Sequence, residues 1–489
     1  MTLATVLFVF VSIPMWVVYA MLASAMPRTG GDYIYQSRAL PGSFAFALNF
    51  SSGVFWTISF LGWAGWWFIF SGFAPLLIRF GLLYNDTALL NLGIWSTTLT
   101  GIVVISTVLM VSVAFLHFFG LRLFVKLQKV MFVAVAACSA VLIGIFATTT
   151  PSSFATTFNA VMQPLANSTN YYQSTIATAA TAGFNANPQF SWFNTIGIFS
   201  ILSGTMVYFA LHVYFGGEVK HGSELKKQLF ATVGADLIFG LLVCALGTWL
   251  FLRAVGVVFW NSFSFNSYTG SLTSFYPGLP PNIISLATIM TSNPILILII
   301  TVGMMLQSYF IFFNSSLPQA REMFAMTFDR MFPAKFADVS DKFHTPIKLI
   351  LGIMVVGEIW VFLINYTTWA ALFATYLAWD IMMFFTMVTG ILFPFLKGTK
   401  RIYEASPAAK YKMGGIPLIS ICGVCGLTLL FIIIYFIAAT PTLGFANYQS
   451  EIAMAAIFLA AFVYYFIVKA YRKKEGIDIG MIFKEIPPE

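Results

Sequence analysis

Residues 3–25 read LATVLFVFVSIPMWVVYAMLASA, and Met26-Pro27-Arg28-Thr29-Gly30-Gly31-Asp32-Tyr33 follows at once. The run holds no charged residue. As a helix rising 1.5 Å per residue it is about 34 Å long, enough to cross the roughly 30 Å hydrocarbon core of a bilayer. No basic segment precedes it, and Met26-Pro27-Arg28 stands where a small-residue cleavage site would be needed. The segment therefore reads as a true span and not as a cleaved signal peptide.

The rest of the chain repeats the pattern. Of 489 residues, 59% are hydrophobic and 9% charged, with 53 Phe, 20 Tyr and 12 Trp, against about 25% charged residues in soluble domains. A water-soluble fold is excluded. Ten more apolar runs lie near 42–80, 94–118, 123–147, 192–216, 227–253, 292–317, 346–366, 368–396, 416–438 and 450–471. The expectation is an all-α polytopic membrane protein with eleven transmembrane helices. The run at 42–80 is too long for one upright helix; it is kept as one span, tilted or projecting, because splitting it spoils the charge pattern.

Lys and Arg fall in alternate connections. Of the 25, 23 lie on one side, from Arg28 and Arg38 through Arg122, Lys220, Arg321, Lys342 and Lys397 to Lys484, leaving Arg79 and Arg253 at the other. By the positive-inside rule that basic side faces the cytoplasm, so the C-terminus is cytoplasmic and the N-terminus as written is outside. The net charge of +8 is thus a matter of loop placement, and no nucleic-acid partner is expected. Of fourteen acids outside the spans, only Asp86 and Glu451 face out, and the connections 148–191 and 254–291 carry no charge. Such loops suit an acidic exterior, which would neutralise carboxylates and offer an inward proton gradient.

Cys138, Cys244, Cys422 and Cys425 sit in apolar runs, so neither a disulfide framework nor a metal site is expected, and Cys422-x-x-Cys425 reads as packing. No phosphate-cradling loop or nucleophile–base pair stands outside the spans, and no channel filter is visible. An enzyme is not expected, nor a cofactor. Residues 472–489 read as a short solvated tail after a transmembrane domain of 1–471.

Three connections on the basic side resemble the amino acid permeases of the amino acid, polyamine and organocation superfamily. Ala23-Ser24-Ala25-Met26-Pro27-Arg28-Thr29-Gly30-Gly31-Asp32-Tyr33 is similar to the junction after that family's second span, and Gly216-Gly217-Glu218-Val219-Lys220 to the exit from its sixth. Arg321, Ala325-Met326, Asp329-Arg330, Phe332-Pro333 and Thr345-Pro346 resemble its connection between spans eight and nine. Weaker echoes stand at Gly120-Leu121-Arg122 with Gln128, and at Gly414-Gly415-Ile416-Pro417.

The resemblance implies a leucine-transporter-like fold of two five-helix inverted repeats, with a remnant of the first repeat at about 1–147, the second at about 192–396, and extra helices at about 416–471. By this count the first span here is the family's second, and its glycine-broken first span is missing. The resemblance further leads us to expect a coding start upstream of Met1. The usual "GFE" of the sixth span is replaced by Tyr208-Phe209-Ala210.

In such transporters the substrate meets backbone freed by broken helices. The resemblance puts that contact at Gly204, Thr205, Met206, Val207, Tyr208 and Phe209, with Trp56, Ser59, Asn314, Ser315, Thr375 and Asp380 as further walls. Other readings stay open: a continuous helix with Gly204 at a close helix contact, Trp56 against lipid, and Asn314-Ser315-Ser316 in interhelical hydrogen bonds. Asp236, Glu358 and Asp380 lie inside apolar runs, where a carboxylate costs about 2.5–3.5 kcal/mol. With His212 they are candidates for proton coupling, the alternative being hydrogen-bonded structural groups. His117 reads as interfacial, and His221 and His344 as solvated.

These features together point to a secondary transporter moving an amino acid or related amine by alternating access, with a proton as the candidate coupling ion. The alternative is a membrane sensor without flux or an inactive truncated permease.

Overall fold

The computed structural model describes residues 1–272, 275–276, 279–340, 345–369, 375–440 and 447–483, with the side chains of Leu121 and Arg122 left aside. The expectations for Lys342, His344 and Lys484 lie outside the described residues.

Eleven helices among the described residues are long and apolar enough to cross a membrane, and they coincide with the eleven apolar runs. In chain order spans 1 to 6 are Thr2–Ala25, Gly42–Tyr84, Leu99–Phe118, Leu123–Thr148, Trp192–Tyr214 and Leu225–Val255. Spans 7 to 11 are Pro294–Phe328, Ile347–Tyr366, Thr375–Leu392, Leu418–Ala439 and Tyr448–Lys474. The protein is an all-α polytopic membrane protein.

Spans 1, 5 and 9 are central, with 61%, 56% and 61% of their most apolar stretches buried, whereas span 11 buries 11% and faces outward. Span 2 stays one element of 43 residues. It absorbs its length through wide-turn stretches at Asn49–Phe55 and Ile69–Phe73, each of which shifts the side-chain register. Span 7 is interrupted after Asn314, and its second part runs from Leu317 to Phe328. Pro318 follows that interruption, where its missing N–H costs nothing.

One face of the bundle carries the basic connections. There the three sequence motifs meet. Gly30 N–H donates to the Tyr214 carbonyl at 3.2 Å, and Thr29 bridges to Phe215. A Cβ on Gly30 would lie 2.8 Å from that of Ala325, so glycine is what lets the first and third motifs touch. Arg321 pairs with Glu218 at 2.7 Å. Lys412–Met413 and Ile416–Pro417 form a small hairpin on a turn at Gly414-Gly415, both with positive φ.

The opposite face departs from expectation. The uncharged connections hold four helices, Pro151–Ala166, Tyr171–Thr181, Val257–Tyr268 and Ile283–Ile289. Their aromatic residues explain it. Phe154, Phe158, Phe259, Phe263 and Tyr276 are buried in a second apolar core, and Tyr172 stacks on Phe259 at 4.4 Å. The buried Arg79 ties this cap down by donating to the Thr288 carbonyl at 3.0 Å, while Arg253 joins span 6 to the end of span 4 by donating to the Ala147 carbonyl.

The described part of the tail also differs from the solvated end expected. Ile479–Ile482 forms a helical turn; Ile479 and Phe483 are buried, and Phe483 packs on Tyr33 and Tyr465. These apolar side chains gain more from covering the junction after span 1 than from exposure to water.

Candidate functional site

Spans 1, 2, 5, 7 and 9, with the junction helix Gly31–Ala39, surround a cavity of about 30 Å³. That is room for about two waters, so admitting an amino acid requires side chains to move. Tyr208, Asn314 and Ser315 line it, as do Thr57, Gln319 and Trp379.

Around the cavity the expected residues fall into three groups. Trp56, Ser59 and Thr375 form one: the Thr375 hydroxyl donates to the Trp56 carbonyl at 3.0 Å and lies 3.4 Å from the Ser59 hydroxyl. Trp56 is 1% exposed, which removes the lipid-facing reading. Its indole N–H has no partner among the described residues. Asp380 and Gly204 form the second. Ser203 donates to Asp380 at 3.1 Å, and the Tyr376 ring lies where a Cβ of Gly204 would be. Tyr208, Asn314 and Ser315 form the third, the Tyr208 ring meeting Trp379 at 6.0 Å edge to face.

Span 5 changes character here. Its α-helix ends at Met206 and Val207–Tyr214 continues as a 3₁₀ helix. The tighter turn is neither an extended break nor a uniform α-helix, and it redirects the side chains. Val207 and Tyr208 face the cavity, while Thr205 is exposed and bonds back to Ile201. Met206 is buried near Gly240 of span 6, and Phe209 packs on Trp16 and Phe239.

The other candidates for coupling stand apart. The Asp236 carboxylate accepts from Ser12 at 2.9 Å on the span 1–span 6 seam. Glu358 accepts from Thr107 between spans 8 and 3. His212 is shared between Gln228, at 2.8 Å, and the Phe209 carbonyl. His117 is not interfacial: it is 3% exposed and bonds Ser316 at 2.8 Å, because span 3 packs beside the interruption in span 7. His221 is exposed as expected and pairs with Glu224.

Two acids read as loop charges are in the interior. Asp32 accepts from Tyr19 at 2.7 Å, from Tyr214 at 2.9 Å and from Thr386. Burial raises its carboxyl above the usual carboxylate range, and the three hydroxyls act against that shift. Glu322, in the second part of span 7, is 0% exposed and neither carboxylate oxygen has a hydrogen-bond partner among the described residues. The motif Gly30-Gly31-Asp32 pointed at the first; nothing in the local pattern of Arg321-Glu322 pointed at the second.

The match of a family model adds to this arrangement: the amino acid permease model covers residues 1–465. The chain belongs to the amino acid permease family. The permease is thus a multi-pass membrane transporter of amino acids, and the junctions that carry the resemblance are the ones that meet on its basic face. No curated protein matches this permease.

Proposed function

We propose that the permease moves a small amino acid or related amine across the cytoplasmic membrane by alternating access, coupled to a proton. Its basic face and C-terminus are cytoplasmic in this reading. The backbone from Gly204 to Phe209 receives the substrate carboxylate and Asp380 its amine, with Trp56, Ser59, Asn314, Ser315 and Thr375 as walls.

The observation that carries the reading is the water-sized cavity set between two closures of different chemistry. Toward the basic face stand Arg38–Asp329 and Arg321–Glu218. Toward the cap stand aromatic contacts, among them Phe60 with Trp379 at 5.5 Å. Ion pairs yield to water and aromatic contacts to side-chain rotation, so each closure can open while the other holds.

The test is radiolabelled amino acid flux through the purified protein in proteoliposomes, with every common amino acid as competitor. Saturable flux that one group of amino acids inhibits supports the reading. Binding without flux replaces it with a membrane sensor. Neither binding nor flux for any amino acid or amine refutes both.

A further inference from the structure

Glu322 has no place in the substrate contacts above. It lies three residues after Gln319 on the second part of span 7, a helical spacing that puts both on one face. Ser315 and Gln319 line the cavity. Glu322 continues that face toward the basic end, is 0% exposed and has no donor to either oxygen among the described residues.

The surroundings are built around it. A Cβ on Gly53 of span 2 would lie 2.5 Å from Oε2 and 2.6 Å from Oε1, so only glycine leaves room for the carboxyl group. Gln319, on the same helix face, is 2% exposed and lines the cavity, and its side-chain oxygen also has no donor among the described residues.

Among the described residues, the charged and titratable groups around Glu322 leave it no cation. Asp32, on the junction helix, is within Coulomb reach, as is Tyr214 from span 5. The packed stretch of span 2, Asn49–Phe55, carries no titratable residue. On span 7 itself, Arg321 is paired with Glu218 and Asp329 with Arg38. His117 of span 3 bonds Ser316, Lys348 of span 8 is exposed and paired with Asp338, and Lys335 is exposed.

An ionised carboxylate without donor or counter-ion in the interior is strongly unfavourable, whereas the neutral acid is tolerated. Two neighbouring carboxyls in unlike settings divide the roles. Asp32, with three hydroxyl donors, holds the charge, and Glu322, with none, holds the proton.

We propose that Glu322 is the binding site of the coupling proton, with Asp32 as the anion that holds the proton there until water enters from the basic face. The idea rests on the proton-coupled reading above and names the group that the reading left open. The proton sits on one Glu322 oxygen while the basic face is closed. Separation of the junction helix from span 7 breaks Arg38–Asp329 and admits water. The carboxyl then ionises beside Asp32 and gives its proton to that water.

Infrared spectroscopy of the full chain in lipid vesicles tests this without any substrate. At neutral pH the parent should show a protonated-carboxyl C=O stretch that is missing in Glu322→Gln. In Asp32→Asn the same band should persist but vanish at a lower pH than in the parent, since the opposing charge is gone. Identical carboxyl bands in parent and Glu322→Gln would overturn the proposal, as would a band in Asp32→Asn that titrates with the parent.

In proteoliposomes with an acidic exterior, Glu322→Gln should lose gradient-driven accumulation at least tenfold. Accumulation equal to the parent's overturns the coupling role. A parent that moves no amino acid refutes the transport reading instead, and the infrared result still decides where the proton sits.

Discussion

Arg38 grips Asp329 through both ends of its guanidinium, Nη1 to Oδ2 at 2.9 Å and Nη2 to Oδ1 at 3.1 Å, with both side chains 2% exposed. The Tyr33 hydroxyl donates to the same carboxylate at 2.8 Å. The pair joins the junction after span 1 to the end of span 7, 291 residues apart in sequence. Removing one partner of a buried pair costs about 3–5 kcal/mol because the other charge is stranded. Arg38→Met should therefore lower the thermal midpoint of the detergent-solubilised protein markedly, toward the smaller end of that range because Tyr33 still serves Asp329. The double variant Arg38→Met with Asp329→Leu should recover most of the loss. A double variant as unstable as the single one would mean that the pair does more than neutralise itself.

Asp380 accepts from Ser203 beside the span 5 position that has room only for glycine. Asp380→Asn keeps size and the hydrogen bond while removing the charge. Uptake should fall at least tenfold with the melting behaviour unchanged. Uptake equal to the parent's across pH would make Asp380 a structural group.

Gly31 has φ +54°, and a Cβ there would lie 2.8 Å from the Tyr214 ring. Gly183 has φ +76° with nothing within 4 Å of a Cβ. Gly31→Ala and Gly183→Ala thus share the backbone penalty of about 1–2 kcal/mol, and only the first pushes Tyr214 away from Asp32. Thermal midpoints should fall in both and clearly further in Gly31→Ala. Equal losses would show that Tyr214 moves aside at no cost.

Asp32 also predicts a pH dependence. Its folded-state carboxyl is raised above the usual value, burial being the main cause, so the folded protein binds this proton more readily than the unfolded chain. Its contribution is then fully present below the unfolded value of about 3.9 and is lost as pH rises through the folded value. Between those limits, Asp32→Asn should show a flatter decline of thermal midpoint with pH than the parent. Parallel profiles would contradict the assignment.

The eleven spans were legible because each is a run of apolar side chains longer than any buried helix of a soluble domain needs to be. Trp56, Ser59 and Thr375 could be grouped only through the family resemblance, since no periodicity ties residues more than 300 positions apart. What the sequence hid has a common cause. Glu322 follows the interruption after Asn314, so the hydropathy pattern ends near 317 while the helix continues to Phe328. Asp32 follows two glycines and a proline and reads as a turn, yet its short helix folds into the bundle. Phe154, Phe158 and Phe259 lie in connections whose many polar residues suggested loops, and only their mutual packing makes a cap. In each case tertiary burial, not local pattern, decides the environment.

The most direct measurement is counterflow of a radiolabelled amino acid into proteoliposomes preloaded with the same unlabelled amino acid, parent beside Asp380→Asn. The account predicts a transient accumulation of label in the parent that is at least tenfold weaker in the variant. No counterflow in the parent for any amino acid, although the folded protein binds one, would contradict transport through the cavity between spans 1, 2, 5, 7 and 9.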